Sequence, residues 1–239
     1  MAAPGRSNVS RYVNGITTVA DNNILADFGM PDPTKWINYF NDFVNYTAAD
    51  WTITKTEAGA GSATHVLTDI NGGALLITND AADNDNVLYQ KVGECFLMSS
   101  SKKAFFKARL KVSDATQSDL VVGLQVTDTT SLDVTDGIYF LKADGVATLD
   151  VFCRKDATTG SNTAAAIATL VSDTFIELAW YYDGEGSLYY AVDGVVKGSI
   201  SAAAAYLPDT ELTVSFGIQN GEAVAKTMTV DYVFAALER

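Results

Sequence analysis

Imidazole is almost missing from this chain: His65 is its single histidine, and Cys95 and Cys153 are its two cysteines. Zinc ribbons, histidine-dependent triads and disulfide frameworks therefore lack their ingredients. Phosphate cradles are equally unsupported, because no segment reads Gly-x-x-x-x-Gly-Lys and Gly59-Ala60-Gly61 is not completed by a third glycine. A Gly-x-Ser-x-Gly elbow is absent too. Basic residues are scarce, 16 Lys and Arg against 29 Asp and Glu, and the resulting charge of −13 repels phosphate backbones and anionic lipid heads. No apolar run approaches the roughly 18 residues of a membrane span, and no basic start leads into an apolar signal region. The expectation is a protein made in a cytosol and kept in solution, with neither nucleic acid nor membrane as partner.

Apolar residues, by contrast, are plentiful. Of the 239 residues, 48% are hydrophobic and 19% charged, enough apolar surface to offset the ordering entropy of one large domain or two small ones. From Met1 to about Lys35 small and polar residues mix with scattered apolar ones, and no period holds. Residues 1–35 read as an extended arm. Pro31 and Pro33 then precede the aromatic-rich start Trp36-Ile37-Asn38-Tyr39-Phe40, so the compact body is placed at residues 36–239.

Beyond Trp51 the chain alternates with period two between Gly, Asn and Asp punctuation, the pattern of an antiparallel all-β domain. In Phe106-Lys107-Ala108-Arg109-Leu110-Lys111-Val112 the apolar residues share one face, and Lys107, Arg109 and Lys111 take the other. The same reading turns inward Val122, Leu124 and Val126; Ile176, Leu178, Trp180 and Tyr182; Val214, Phe216 and Ile218; and Met228, Val230, Tyr232 and Phe234. Asn71-Gly72-Gly73, Asp144-Gly145, Asp183-Gly184-Glu185-Gly186 and Asp193-Gly194 are expected at hairpin tips, since Asp-Gly supplies the positive φ of a type I′ turn. Only one of the four prolines, Pro208, lies in this part, so little interrupts a ladder. More than ten short strands favour two sheets packed face to face over a small barrel. The fold expected is an all-β antiparallel two-sheet β-sandwich behind an extended N-terminal arm. The alanine-rich stretches 163–168 and 202–206 fit helix, strand or loop.

Residues able to carry chemistry are few. His65 stands in Ser62-Ala63-Thr64-His65-Val66 without an orienting carboxylate beside it and reads as an ordinary strand or loop histidine. β-Sandwich glucanases commonly draw their carboxylates from one strand as Glu-x-Asp followed shortly by Glu. No glutamate here is followed two residues later by aspartate. Glu177 alternates with Ile176, Leu178 and Trp180 and is expected to face solvent. The tract Asp80-Ala81-Ala82-Asp83-Asn84-Asp85-Asn86 gathers oxygen ligands but lacks the glycine and terminal glutamate of a calcium loop. With Asp128, Asp133 and Asp136, it reads as turn. No catalytic residue, cofactor site or metal site is expected, and the chain is expected not to be an enzyme. Cys95 and Cys153 read as two small buried hydrophobes. Tyr181-Tyr182 and Tyr189-Tyr190 flank the turn at Asp183, so one tyrosine of each pair faces outward, where it suits an interface, a sugar platform or cross-strand pairing.

The run Trp180-Tyr181-Tyr182-Asp183-Gly184-Glu185-Gly186-Ser187-Leu188-Tyr189-Tyr190-Ala191-Val192-Asp193-Gly194 resembles the hairpin of concanavalin A-like (laminin G-like) jelly rolls, an architecture that hosts lectins, glucanases and inert modules alike. A narrower resemblance rests on Asn41-Asp42-Phe43, Asp136-Gly137-Ile138-Tyr139-Phe140, Phe216-Gly217-Ile218-Gln219-Asn220-Gly221-Glu222 and the ending from Thr229 to Arg239. These are similar to structural proteins of tailed bacteriophages, the head decoration or cement proteins in particular. That resemblance implies a non-enzymatic virion protein on the capsid exterior, made in the host cytoplasm. Its implied partners are the major capsid protein and further copies of itself, in a small symmetric oligomer such as a trimer. Under it the arm orders on a neighbour, and Trp36, Tyr39 and Phe40 are the candidate capsid contacts, with capping of the sandwich core as the alternative role. A carbohydrate-binding jelly roll displayed on the virion is the second expectation, motivated by the fold and the outward tyrosines.

Overall fold

The computed structural model describes residues 34–157 and 162–239, so the expected arm lies, up to residue 33, outside the described residues. The described chain runs through β1 (Trp36–Asn41), β2 (Trp51–Thr56), β3 (Thr64–Thr68), β4 (Ala74–Thr78), β5 (Asn86–Lys91), β6 (Phe96–Leu97), β7 (Ala104–Val112) and β8 (Ser118–Gln125). It continues through β9 (Gly137–Lys142), β10 (Thr148–Arg154), β11 (Asn162–Thr169), β12 (Ile176–Tyr182), β13 (Ser187–Val192), β14 (Val195–Ser201), β15 (Glu211–Asn220) and β16 (Thr227–Glu238). No helix among the described residues is long and apolar enough to cross a membrane.

Period-two alternation gives each sheet an apolar inner face, and the two inner faces are satisfied by stacking on each other. The first sheet has the order β14-β13-β12-β7-β16-β4-β3, and β1 pairs with the end of β16 that β4 leaves free. The second has the order β11-β10-β9-β8-β15-β5-β2, with β6 on the start of β15. Leu110, Trp180 and Met228 from the first sheet share one buried cluster with Val122, Phe140 and Phe216 from the second. Inside it Tyr89 stacks on Phe216 at 5.3 Å, and Trp51 meets Phe216 edge-on at 5.0 Å. This is the two-sheet antiparallel sandwich that the alternation predicts.

The hairpin tips also fall where their chemistry places them. Asp193 and Gly194 both take positive φ, 50° and 74°, between β13 and β14, as a two-residue type I′ connection requires. Gly72 and Gly73 turn β3 into β4, Gly145 lies between β9 and β10, and Gly184 and Gly186 join β12 to β13 with Asp183 accepting the N–H groups of Glu185 and Ser187. Of the two alanine-rich stretches, the first is β11 and the second a turn.

Two expectations need correction. Tyr232 and Phe234 do not point inward, because the register of β16 against β7 shifts between Val230 and Tyr232. The bulge inserts Asp231 and inverts the parity, so that Val233, Ala235 and Leu237 enter the core instead. Cys153 is buried on β10 as expected, but Cys95 lies exposed in the loop before β6.

Candidate functional site

The bulge in β16 places Asp231 and Tyr232 in a polar centre on the outer face of the first sheet. β12, β7 and β16 lie side by side, with Glu177 opposite Arg109 and Arg109 opposite Tyr232. Glu177 receives the Lys107 ammonium at 2.8 Å on one oxygen and the Tyr232 hydroxyl on the other. Burial and the adjoining Glu177 carboxylate, which accepts its proton in a hydrogen bond, push the Tyr232 phenol well above the usual tyrosine range. It is thus a fixed donor. Arg109 pairs with Asp231, the inserted residue. Glu177 does alternate away from the core as expected, yet it is half-buried and fully engaged.

Aromatic rings border this centre toward the β12–β13 turn. Tyr181 and Tyr189, opposite each other on β12 and β13, are the outward members of their pairs and stack at 6.2 Å with 23° between planes. Beneath the rings, Phe105, Ala179, Ala191 and Ala236 form a buried apolar layer, with Trp36, Tyr181 and Phe234 packed on it. Small alanines in the sheet let the rings lie close to the backbone. At the other end of the strands, Phe175 lies under Arg109 at 4.2 Å and near Lys111 at 5.4 Å. Here a groove of about 340 Å³ opens, floored by Lys111, Thr229 and Leu76 and walled by Phe175 and Ile70.

The three candidate capsid contacts are split by strand alternation on β1. Trp36 joins the outer aromatic layer. Tyr39 turns inward, packing edge-on against Trp51 at 6.2 Å. Phe40 is 60% exposed at the rim and touches Tyr232 and Phe234. One residue thus caps the core and two extend the outer face.

Elsewhere the acidic tract is the turn between β4 and β5, and buried Asp85 accepts the N–H groups of Ala58 and Ala82. Asp128 accepts from Thr130, and Asp133 pairs with Arg154 at 2.5 Å. Asp136 does approach two other carboxylates, Asp156 and Asp209, with ligand oxygens within 4.8 Å of one another. The Lys155 ammonium already sits 2.5 Å from Asp209 and competes there with any cation. His65 is engaged by two tyrosines: its Nδ1 lies 3.0 Å from the Tyr89 hydroxyl and its ring packs on Tyr46 at 4.7 Å.

Asp231 and Phe175 escaped the strand-by-strand reading, and Tyr232 and Phe234 were assigned to the opposite face. The available signal was a break of parity in the last strand, where apolar Met228 and Val230 give way to Val233, Ala235 and Leu237.

No known family's sequence profile matches the chain, and no curated protein does. Solved structures match by shape. An endo-1,3-beta-glucanase from Streptomyces sioyaensis is similar at TM-score 0.58 and 14% identity, over 87% of this chain and 98% of that one. An endo-beta-1,4-glucuronan lyase from the fungus Trichoderma reesei is similar at TM-score 0.55 and 11% identity, over 83% and 94%. Peanut lectin is similar at TM-score 0.55 and 10% identity, over 86% and 98%. The fold is therefore a concanavalin A-like jelly roll, as the β12–β13 hairpin suggested. The expectation that the chain is not an enzyme is overturned, because this fold is shared by glucanases, a lyase and lectins, and lacking one strand motif does not exclude catalysis.

Proposed function

We propose that the chain is a carbohydrate-binding jelly roll that holds a glycan across the outer face of its first sheet. The observation in support is the Tyr181–Tyr189 stack beside the row formed by Lys107, Glu177, Tyr232, Arg109 and Asp231. Aromatic faces take up the apolar C–H faces of sugar rings, and pre-oriented charged groups exchange hydrogen bonds with hydroxyls, so the two together can select a heavily hydrated ligand. The lectin and glucanase likenesses point the same way. A virion location, with the major capsid protein as partner, rests on the sequence resemblance, and none of the three structures named above carries it.

Affinity electrophoresis through gels cast with β-1,3-glucan, β-1,4-glucan and uronate polysaccharides tests the reading, with product release followed in parallel. Retardation by at least one polysaccharide is expected, weakened about tenfold when Tyr181→Ala and Tyr189→Ala are combined. A folded wild-type protein that no polysaccharide retards rejects it.

A further inference from the structure

Three cations project from the outer face of β7, and they are not in equivalent surroundings. Lys107 is neutralised by Glu177 and Arg109 by Asp231. Lys111, one step further along the same face, has no carboxylate within ion-pair distance among the described residues. Its ammonium instead lies 5.4 Å from the centre of the Phe175 ring, at the floor of the 340 Å³ groove. A half-buried cation with no carboxylate in ion-pair contact is incompletely compensated, and an incoming anion gains the close contact that Glu177 and Asp231 supply to its neighbours.

We infer that this groove receives an acidic sugar unit, a uronate, with its carboxylate on Lys111; the inference rests on the carbohydrate-binding reading and specifies its ligand class. The groove stands at the small end of the size range for small-ligand sites, room for a sugar unit rather than a large cofactor. Its lining suits a ring with one charged edge. Phe175 and Ile70 offer apolar walls, Thr229 and Thr227 offer hydroxyls, and Lys111 offers the charge. Asp173 also borders the groove, but no ion pair joins it to Lys111, so it is left to meet sugar hydroxyls. The groove lies one step along β7 from the Arg109 and Tyr232 row, so a chain held across the tyrosine stack continues into it. The net charge of −13 repels polyanions at long range. Preference for an acidic glycan must then come from the local pair, which makes it sensitive to one residue.

The test is calorimetric binding of oligosaccharides of glucuronan, polygalacturonate and alginate beside cello- and laminari-oligosaccharides of equal length. Wild-type protein is expected to favour at least one uronate by about tenfold over the neutral chains. Lys111→Met is expected to erase that preference, and Lys111→Arg to keep it, with melting curves confirming that both variants fold. Equal affinity of the wild type for acidic and neutral chains, or a preference that survives Lys111→Met, overturns the inference while leaving glycan binding in place. Absence of binding to every saccharide overturns the carbohydrate reading and this one with it.

Discussion

Replacing Lys226 by methionine isolates one electrostatic element of the fold. Lys226 is buried immediately before β16, 4% exposed, and its ammonium reaches Asp114 at 2.8 Å and Glu222 at 2.6 Å. Burial draws the ammonium's pKa down, but the two carboxylates outweigh burial and leave it raised. Asp114 is held down from 3.8 to about 2, first by Lys226 and then by the N–H of Gln117. A displacement of that size corresponds to at most about 2 kcal/mol. The backbone N–H bonds survive the substitution, and solvent reaches 30% of the Asp114 side chain, so the share owed to Lys226 is about 1 kcal/mol. The absolute stability change at pH 7 also contains relief of the cost of burying the Lys226 charge, which offsets part of the loss. The pH dependence does not contain it. A carboxylate with a depressed folded pKa stabilises above its unfolded value, 3.8, and loses that contribution as pH falls toward 2. Urea unfolding of both proteins at several pH values is the assay. Between pH 5 and 2 the wild type is expected to lose about 1 kcal/mol more than Lys226→Met. Parallel curves for the two proteins would refute the reasoning.

Further outcomes follow from other positions. Gly123→Ala places a methyl 2.5 Å from the Ile138 carbonyl oxygen and the Tyr139 Cα, backbone atoms that cannot step aside; a loss of about 3 kcal/mol is expected, read as a lower melting temperature. His65 titrates below its ordinary 6.5 because of burial and then of Lys55. Its contribution is therefore complete above pH 6.5 and is lost as pH falls through the folded value, so the stability difference between wild type and His65→Gln should shift over that interval. An aromatic disulfide reagent should modify Cys95 in the native protein and reach Cys153, whose thiol burial pushes up to about 12, only after unfolding. Two reactive thiols in the folded state would contradict the core arrangement around β10.

Much of the architecture was readable from local pattern. Lys107, Arg109 and Lys111 face away from Phe106, Ala108 and Leu110 because successive side chains on a strand must alternate, and Asp193-Gly194 turns because that dipeptide accepts positive φ cheaply. Tyr181 and Tyr189 were narrowed to one outward ring in each pair on the same grounds. The site was less legible. Its central groups, Lys107, Glu177 and Tyr232, come from three strands distant in sequence, and alternation says nothing about which strands become neighbours.

The amino-acid order by itself determined strand content, the facing of residues within each strand and the hairpin tips, since each of these depends on interactions a few residues long. Tertiary structure decided the order of strands, the bulge at Asp231 and the partner of each β7 cation. A bulge costs a ladder position and forms only where the neighbouring strand's register and the core's volume favour it. That single inserted residue moved Tyr232 from the core to the outer face, where it donates to Glu177, and gave Arg109 the paired carboxylate that Lys111, further along β7, lacks.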